Sequence, residues 1–167
     1  MSSMIGMRTG AARLEDPRHP GDDKAAEALF ERVVARIVAT HDFAPNLARQ
    51  ALDQALIFLV VAAQDTSRAL SPSPTVDAAW DTFILYTAEY NHHCRRHGAF
   101  VHHTPSDNPE VLRSARNVYT VGETADLLRE QGFYVLDGLW PRDAAATSKA
   151  NCTSCYSGDH VGDGGGG

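Results

Sequence analysis

A segment between Leu47 and Ala63 limits what this chain can fold into more than any other feature. Its apolar residues fall on two sides of a helix, with Leu47, Leu52, Leu56, Leu59, Val60 and Ala63 on one side and Ile57, Phe58 and Val61 on the other. A helix that is apolar on several sides needs neighbours on several sides. We therefore predict that a helix from Pro45 to about Leu70 is the central element of a helical bundle. The alternative is that part of this surface binds a partner protein or a second copy of the chain.

The composition fits one compact domain with less ordered ends. The chain has 167 residues, of which 43% are hydrophobic and 22% are charged. Residues 1–21 show no periodicity and predict a flexible arm, residues 22–141 predict the helical domain, and residues 142–167 form a Cys/Gly-rich tail. Asp22 or Asp23 is expected to cap the first helix. The predicted fold class is all-α, a small bundle of about four helices.

The stretch from Val76 to His103 contains most of the residues that can perform chemistry. It holds five of the eight histidines, one of the two tryptophans and one of the three cysteines. We expect a single helix of about six turns, because Thr75 can act as its N-cap and Gly98 can end it. The loop after Gly98 would then carry two adjacent histidines.

Two sets of side chains in this stretch have the spacing of metal ligands. Asp77 and Asp81 lie one helical turn apart, as do His93 and His97, with Cys94 between the two histidines. A third ligand is expected from the loop residues His102 and His103. The alternatives stay open, because histidines at a helix end are commonly solvated and favoured by the helix dipole, and a buried cysteine commonly behaves as a small hydrophobe.

Four residue types at fixed spacing resemble a known motif. Asp77, Trp80, Tyr90 and Cys94 resemble the pattern D-x-x-W-H-x-H, then tyrosine, then cysteine, of the glycine-rich-domain-protein-like family, a plant and microbial family once described as a domain of unknown function. The segment from Phe100 to Pro105 resembles the aromatic-hydrophobic-His-His-x-Pro segment of its small bacterial members. The resemblance implies no established reaction, only a suggested role in binding or regulation.

The chain departs from this motif at two positions. Where the family has histidines after the tryptophan, this chain has Asp81 and Phe83. If those histidines bind a metal in relatives, this chain keeps an oxygen ligand at Asp81. The resemblance then implies a mixed carboxylate-imidazole site of Asp77, Asp81, His102 and His103, of the kind that binds zinc, iron or manganese.

A second candidate site lies in the tail. Cys152, Cys155 and His160 can supply three zinc ligands, because a two-residue spacer lets both thiolates reach one ion. Closing the site would require Cys94, a histidine of the helical domain, or the tail of a second copy. The cysteine pair is alternatively a redox dithiol, or part of an ordinary mobile tail.

Several functional classes are disfavoured by the sequence. A net charge of −6 argues against nonspecific nucleic-acid binding, and no apolar run approaches the ~20 residues of a membrane span. The start lacks the apolar core of a signal peptide, so we expect a cytoplasmic protein. We hypothesise that it binds a transition metal, with zinc as the first candidate. The alternatives are a non-enzymatic protein-interaction module, and a metal-dependent enzyme or accessory factor in which Asp77 or Asp81 is a ligand or general base.

Overall fold

The computed structural model describes residues 12–65, 67–105, 107 and 117–152, and it is mainly helical. The described elements are α1 (Asp23–His41), α2 (Pro45–Gln64), α3 (Pro74–Phe83), α4 (Thr87–His97), β1 (Val101–Pro105), α5 (Val121–Glu130), a short 3-10 helix (Asp137–Leu139) and β2 (Ser148–Cys152). The prediction of a mainly helical protein is confirmed. The predictions that it is all-α and has about four helices are wrong, because the described residues include a two-stranded sheet and five α-helices. None of the described helices is both long enough and apolar enough to cross a membrane.

Helix α2 is the centre of the fold, as predicted. Every residue from Ala51 to Ala63 is buried, and α1, α3 and α4 all pack against the helix. The chain's own elements therefore cover the apolar surface of α2, and that surface is not available to a partner. Whether another part of the protein binds a partner stays a prediction.

A buried amide fixes the C-terminal half of the chain to α2. Gln54 is fully buried, and its Oε1 accepts hydrogen bonds from the backbone N–H of Leu136 and from Nε1 of Trp140. Its Nε2 donates to the carbonyl oxygen of Tyr134. A buried side-chain amide is stable only when its donors and acceptors are satisfied, so these bonds determine where the segment that leads to β2 crosses the bundle.

The described part of the N-terminal segment also packs on the helices. Ala12 and Leu14 are buried, and Arg18 forms an ion pair with Glu89 of α4 at 2.6 Å. These residues belong to the segment that the sequence predicts as a flexible arm, of which residues 1–11 lie outside the described part. Helix α1 begins after its predicted cap, because Asp22 accepts hydrogen bonds from two N–H groups of the first turn.

The helix predicted from Val76 to His97 is in fact two helices, α3 and α4. Residues 84–86 form the turn between them, and this turn places the ring of Tyr90 beside that of Phe83, with centroids 5.5 Å apart. The predicted N-cap Thr75 is also wrong. Ser73 caps α3, because it precedes a proline and is held extended, while Pro74 takes a first-turn position that suits its fixed φ.

The small sheet joins two distant parts of the chain. Strands β1 and β2 are antiparallel, with His103 opposite Ala150, and the N–H of Ala150 also donates to the carbonyl oxygen of Leu70. Strand β2 therefore lies between β1 and the segment that precedes α3. The prediction that His102 and His103 lie in a loop is wrong, because both belong to β1.

Candidate metal centre

Two aspartates of α3 form one side of the candidate site. Asp77 and Asp81 are one turn apart, so their carboxylates point in the same direction from the helix. They differ in burial, since the side chain of Asp77 is 8% exposed and that of Asp81 is 51% exposed. The site therefore has a buried end and an end that faces solvent.

Strand β1 supplies an imidazole to both aspartates. Nε2 of His103 lies 3.0 Å from Oδ1 of Asp77 and 2.8 Å from Oδ1 of Asp81. The imidazole also packs against the indole ring of Trp80, with centroids 4.3 Å apart. Trp80 lies between the two aspartates in α3, so one helix provides both carboxylates and the aromatic surface against which the imidazole packs.

A chain of buried hydrogen bonds fixes the position of β1 relative to the helices. Nε1 of Trp80 donates to the hydroxyl of Tyr90 at 2.9 Å, and that hydroxyl donates to the carbonyl oxygen of Val101 at 2.6 Å. Val101 is two residues before His103, and alternate residues of a strand point to the same face. The chain therefore holds β1 where His103 faces α3.

Strand β2 and the residue before it complete the surroundings of Asp77. The hydroxyl of Thr147 donates to Oδ2 of Asp77, and the hydroxyl of Ser148 donates to Oδ1. Both oxygens of this buried carboxylate are thereby satisfied. Sequence reasoning missed these two residues, since a Thr-Ser pair about 70 positions away carries no signal of proximity to Asp77.

The charges of the three groups stabilise one another in the metal-free protein. Burial by itself lowers the pKa of His103, but its hydrogen bonds and charge interactions with Asp77 and Asp81 prevail and raise the pKa to about 9. Burial likewise raises the pKa of Asp77, but the bonds from His103, Ser148 and Thr147 prevail and hold it below its usual value. At neutral pH the site is therefore a charged carboxylate-imidazolium-carboxylate group.

The same three side chains can hold a metal ion. One ligand atom each from Asp77, Asp81 and His103 lies within 4.8 Å of the other two, and no other described group of three or more histidine, cysteine or acidic side chains meets this criterion. Two oxygens and one imidazole nitrogen match the donors used for zinc, iron and manganese. The residues present therefore fit a divalent transition metal.

The neighbouring His102 does not belong to this group. It follows the alternation of the strand, and its ring packs on that of Phe100, with centroids 4.9 Å apart. Burial lowers its pKa. Of the four ligands implied by the sequence resemblance, the structure brings together three.

The pair His93 and His97 lies in a different part of the protein. His93 is fully buried, and its Nε2 donates to the carbonyl oxygen of Leu56 in α2. Burial lowers its pKa to about 3, so the ring stays neutral. The rings of His93 and His97 are 5.1 Å apart, but no third described histidine, cysteine or acidic side chain joins them.

The predicted cysteine ligands are also away from the aspartates. Cys94 is completely buried, and burial raises the pKa of its thiol, as expected for a cysteine that packs as a small hydrophobe. Cys152 ends β2, where only its backbone is described, while Cys155 and His160 lie outside the described residues. The tail site stays a prediction.

Fold and site together define a mainly helical protein with an Asp/Asp/His group at the edge of a two-stranded sheet, suited to a metal ion. Residues 26–119, more than half of the chain, match the UCP032817-like family, so the chain belongs to this uncharacterised family. The matched region includes Asp77, Asp81 and His103 but ends before β2. No curated protein and no solved structure matches the chain. The resemblance to the glycine-rich-domain-protein-like family stays a prediction.

Proposed function

We propose that this protein binds a divalent transition metal, with zinc as the first candidate, through Asp77, Asp81 and His103. The observation that carries the proposal is the convergence of three ligand atoms of suitable type from two separate elements. Helix α3 contributes the carboxylates at one-turn spacing, and β1 contributes the imidazole. A bound ion would take the place of the proton that His103 shares with the two aspartates.

The surroundings of the ligands support a metal more than a simple surface ion pair. Exposed ion pairs need no orienting groups, whereas metal-binding carboxylates and imidazoles are typically held by further hydrogen bonds. Here Asp77 is buried and accepts two hydroxyls, and Trp80 packs on the imidazole of His103. The side chains are therefore preorganised before any ion arrives.

Exposure of the site bears on what the metal would do. Three protein ligands would leave at least one position of a tetrahedral ion for water or a substrate, and the half-exposed Asp81 puts this end of the group next to solvent. An open position of this kind favours a metal-dependent enzyme or accessory factor over a closed structural site. We propose this as the chemistry to test once metal binding is established.

The proposal predicts that metal binding depends on Asp77 and His103. Asp77→Asn keeps the size of the side chain but removes its charge, and we expect at least a 10-fold loss of zinc and manganese affinity, because a neutral amide is a much poorer ligand than a carboxylate. Calorimetric titration of the untagged, metal-stripped protein measures this loss. His103→Gln should behave similarly. His102→Gln is the matched control and should leave the affinity unchanged.

A second set of variants separates this site from the tail. Replacing Cys152, Cys155 and His160 together should leave manganese binding intact, because manganese prefers oxygen and nitrogen ligands to thiolates. If the tail variant loses all metal while Asp77→Asn keeps it, the function lies in the tail. If the natural protein binds neither ion, the Asp/His group is an ion-pair cluster, and the interaction-module prediction becomes the better one.

A further inference from the structure

We infer that strand β2 is a working part of the metal centre, and that Thr147 and Ser148 are positioning residues for Asp77. The inference rests on the proposed function and deepens it. The ligands come from α3 and β1, but the element that fixes their relative position is β2, a strand close to 50 residues after β1 in the sequence.

Both oxygens of the buried Asp77 carboxylate accept hydrogen bonds. A carboxylate can rotate about its terminal bond, and an ion selects only some of its orientations. The hydroxyl of Thr147 occupies Oδ2 of Asp77, and that of Ser148 occupies Oδ1, which leaves the remaining lone pair of Oδ1 directed at His103. Both hydroxyls therefore hold Asp77 while its Oδ1 remains in contact with Nε2 of His103.

Strand β2 lies between β1, which carries His103, and the segment that leads into α3, which carries the two carboxylates. On one side β2 forms the full ladder with β1, in which Ala150 is opposite His103. On the other side the N–H of Ala150 donates to the carbonyl oxygen of Leu70, just before α3. The position of β1 relative to α3 is therefore determined in part by β2, which pairs with β1 and is hydrogen-bonded to the segment that precedes α3.

The two residues that donate to Asp77, Thr147 and Ser148, differ in their exposure to solvent. Ser148 is fully buried, whereas Thr147 is an exposed residue that nonetheless directs its hydroxyl to Asp77. Removing the hydroxyl of Thr147 therefore disturbs the site with little effect on the core. Both residues lie outside the segment 26–119 that matches the family.

The consequence is that metal binding and docking of β2 reinforce each other. Docking holds Asp77 in the orientation that an ion selects, and by thermodynamic linkage an ion held by Asp77 and His103 stabilises the docked strand by the same factor. The coupling has two independent readouts, the affinity for the ion and the protection of the β2 backbone.

The affinity experiment uses Mn(II) and the full-length protein. We expect Thr147→Val and Ser148→Ala, singly and together, to weaken Mn(II) binding roughly 10- to 100-fold, the usual effect of removing a group that orients a ligand. Thr147→Ser retains a hydroxyl at an exposed position and should restore most of the affinity that Thr147→Val loses, which a purely structural role would not require. Ser71→Ala is the matched control, because Ser71 contacts Lys149 on β2 and donates to Tyr119 but does not touch Asp77.

The docking experiment measures amide hydrogen exchange of β2 with and without Mn(II). We expect the ion to slow exchange at Ser148 to Ala150 in the natural protein, and to have no effect when Asp77 is replaced by asparagine. Equal Mn(II) affinity of the natural protein and the double variant would overturn the positioning role while leaving the metal site intact. Absence of both zinc and Mn(II) binding in the natural protein would overturn the proposed function, and this inference with it.

Discussion

Replacing Gly98 by alanine should strongly destabilise the folded protein. Gly98 ends α4 with φ +152°, a backbone conformation that residues with a side chain rarely adopt. A Cβ atom at this position would lie 2.1 Å from the carbonyl oxygen of Ala63, and that oxygen accepts the N–H of Ala99. Backbone strain and overpacking each cost roughly 1–3 kcal/mol, so we expect a loss of about 3–5 kcal/mol in the free energy of unfolding.

Two other glycines separate the sources of this loss. Gly132 also has a positive φ, of +88°, but a Cβ there meets no atom within 4 Å, so alanine should cost about 1 kcal/mol from strain alone. Gly138 has neither a positive φ nor a close neighbour, and its replacement should be nearly neutral. Urea unfolding of the three variants tests the ranking. Equal losses at Gly98 and Gly132 would show that the close approach of α4 to α2 is unimportant.

The glycine also shows which parts of the fold the sequence makes predictable. A helix stop at Gly98, the N-cap Asp22 and the buried helix α2 depend on residues close together in the chain, and all three appear in the structure. Local rules of capping and periodicity are sufficient for such features, because the groups that interact are neighbours along a helix.

The break between α3 and α4 could not be predicted in this way. Phe83, Thr87 and Tyr90 follow one another at helical spacing across residues 84–86, so periodicity alone indicates one long helix. The chain turns there because tertiary packing prevails, with α3 and α4 each packing on α2. Helix propensity is a weak preference that such packing readily overrides.

The candidate site, like the fold, is predictable from the sequence only where its residues are close together in the chain. The one-turn spacing of Asp77 and Asp81 is visible in the sequence, as are the paired histidines a few residues after Gly98. Which of His102 and His103 faces the aspartates depends on the strand register, and the register depends on β2. The pairing of His103 with Ala150 spans a long stretch of chain, and residues 144–148 look like a linker by composition. No local sequence pattern indicates that Ser148 contacts Asp77.

The metal-free protein should lose stability as the pH rises from about 7 to 9.5. The pKa of His103 is raised in the folded protein to about 9, against a usual value of 6.5, so the folded state binds a proton that the unfolded state releases. This stabilisation is fully present below about pH 6.5 and is lost as the pH passes 9. The raised pKa of His103 corresponds to a loss of at most about 3 kcal/mol in the free energy of unfolding over this pH range. Urea unfolding in the presence of a chelator, at half-unit pH steps, measures it.

Most other buried groups titrate below this range, and the Cys94 thiol, whose pKa burial raises, adds a loss only above about pH 8.5 that the natural protein and His103→Gln share. Burial raises the pKa of Asp53 to about 7, so its ionisation lowers stability mainly between about pH 4 and 7. The lowered pKa of Asp77 contributes stability that is lost only as the pH falls through the acid range. His103→Gln should therefore be less stable than the natural protein at pH 6.5 and nearly equal to it at pH 9.5. His102→Gln should retain the natural slope. A slope unchanged by His103→Gln would mean that the carboxylates do not hold the proton on this imidazole, and the charged group at the centre of the site would have to be abandoned.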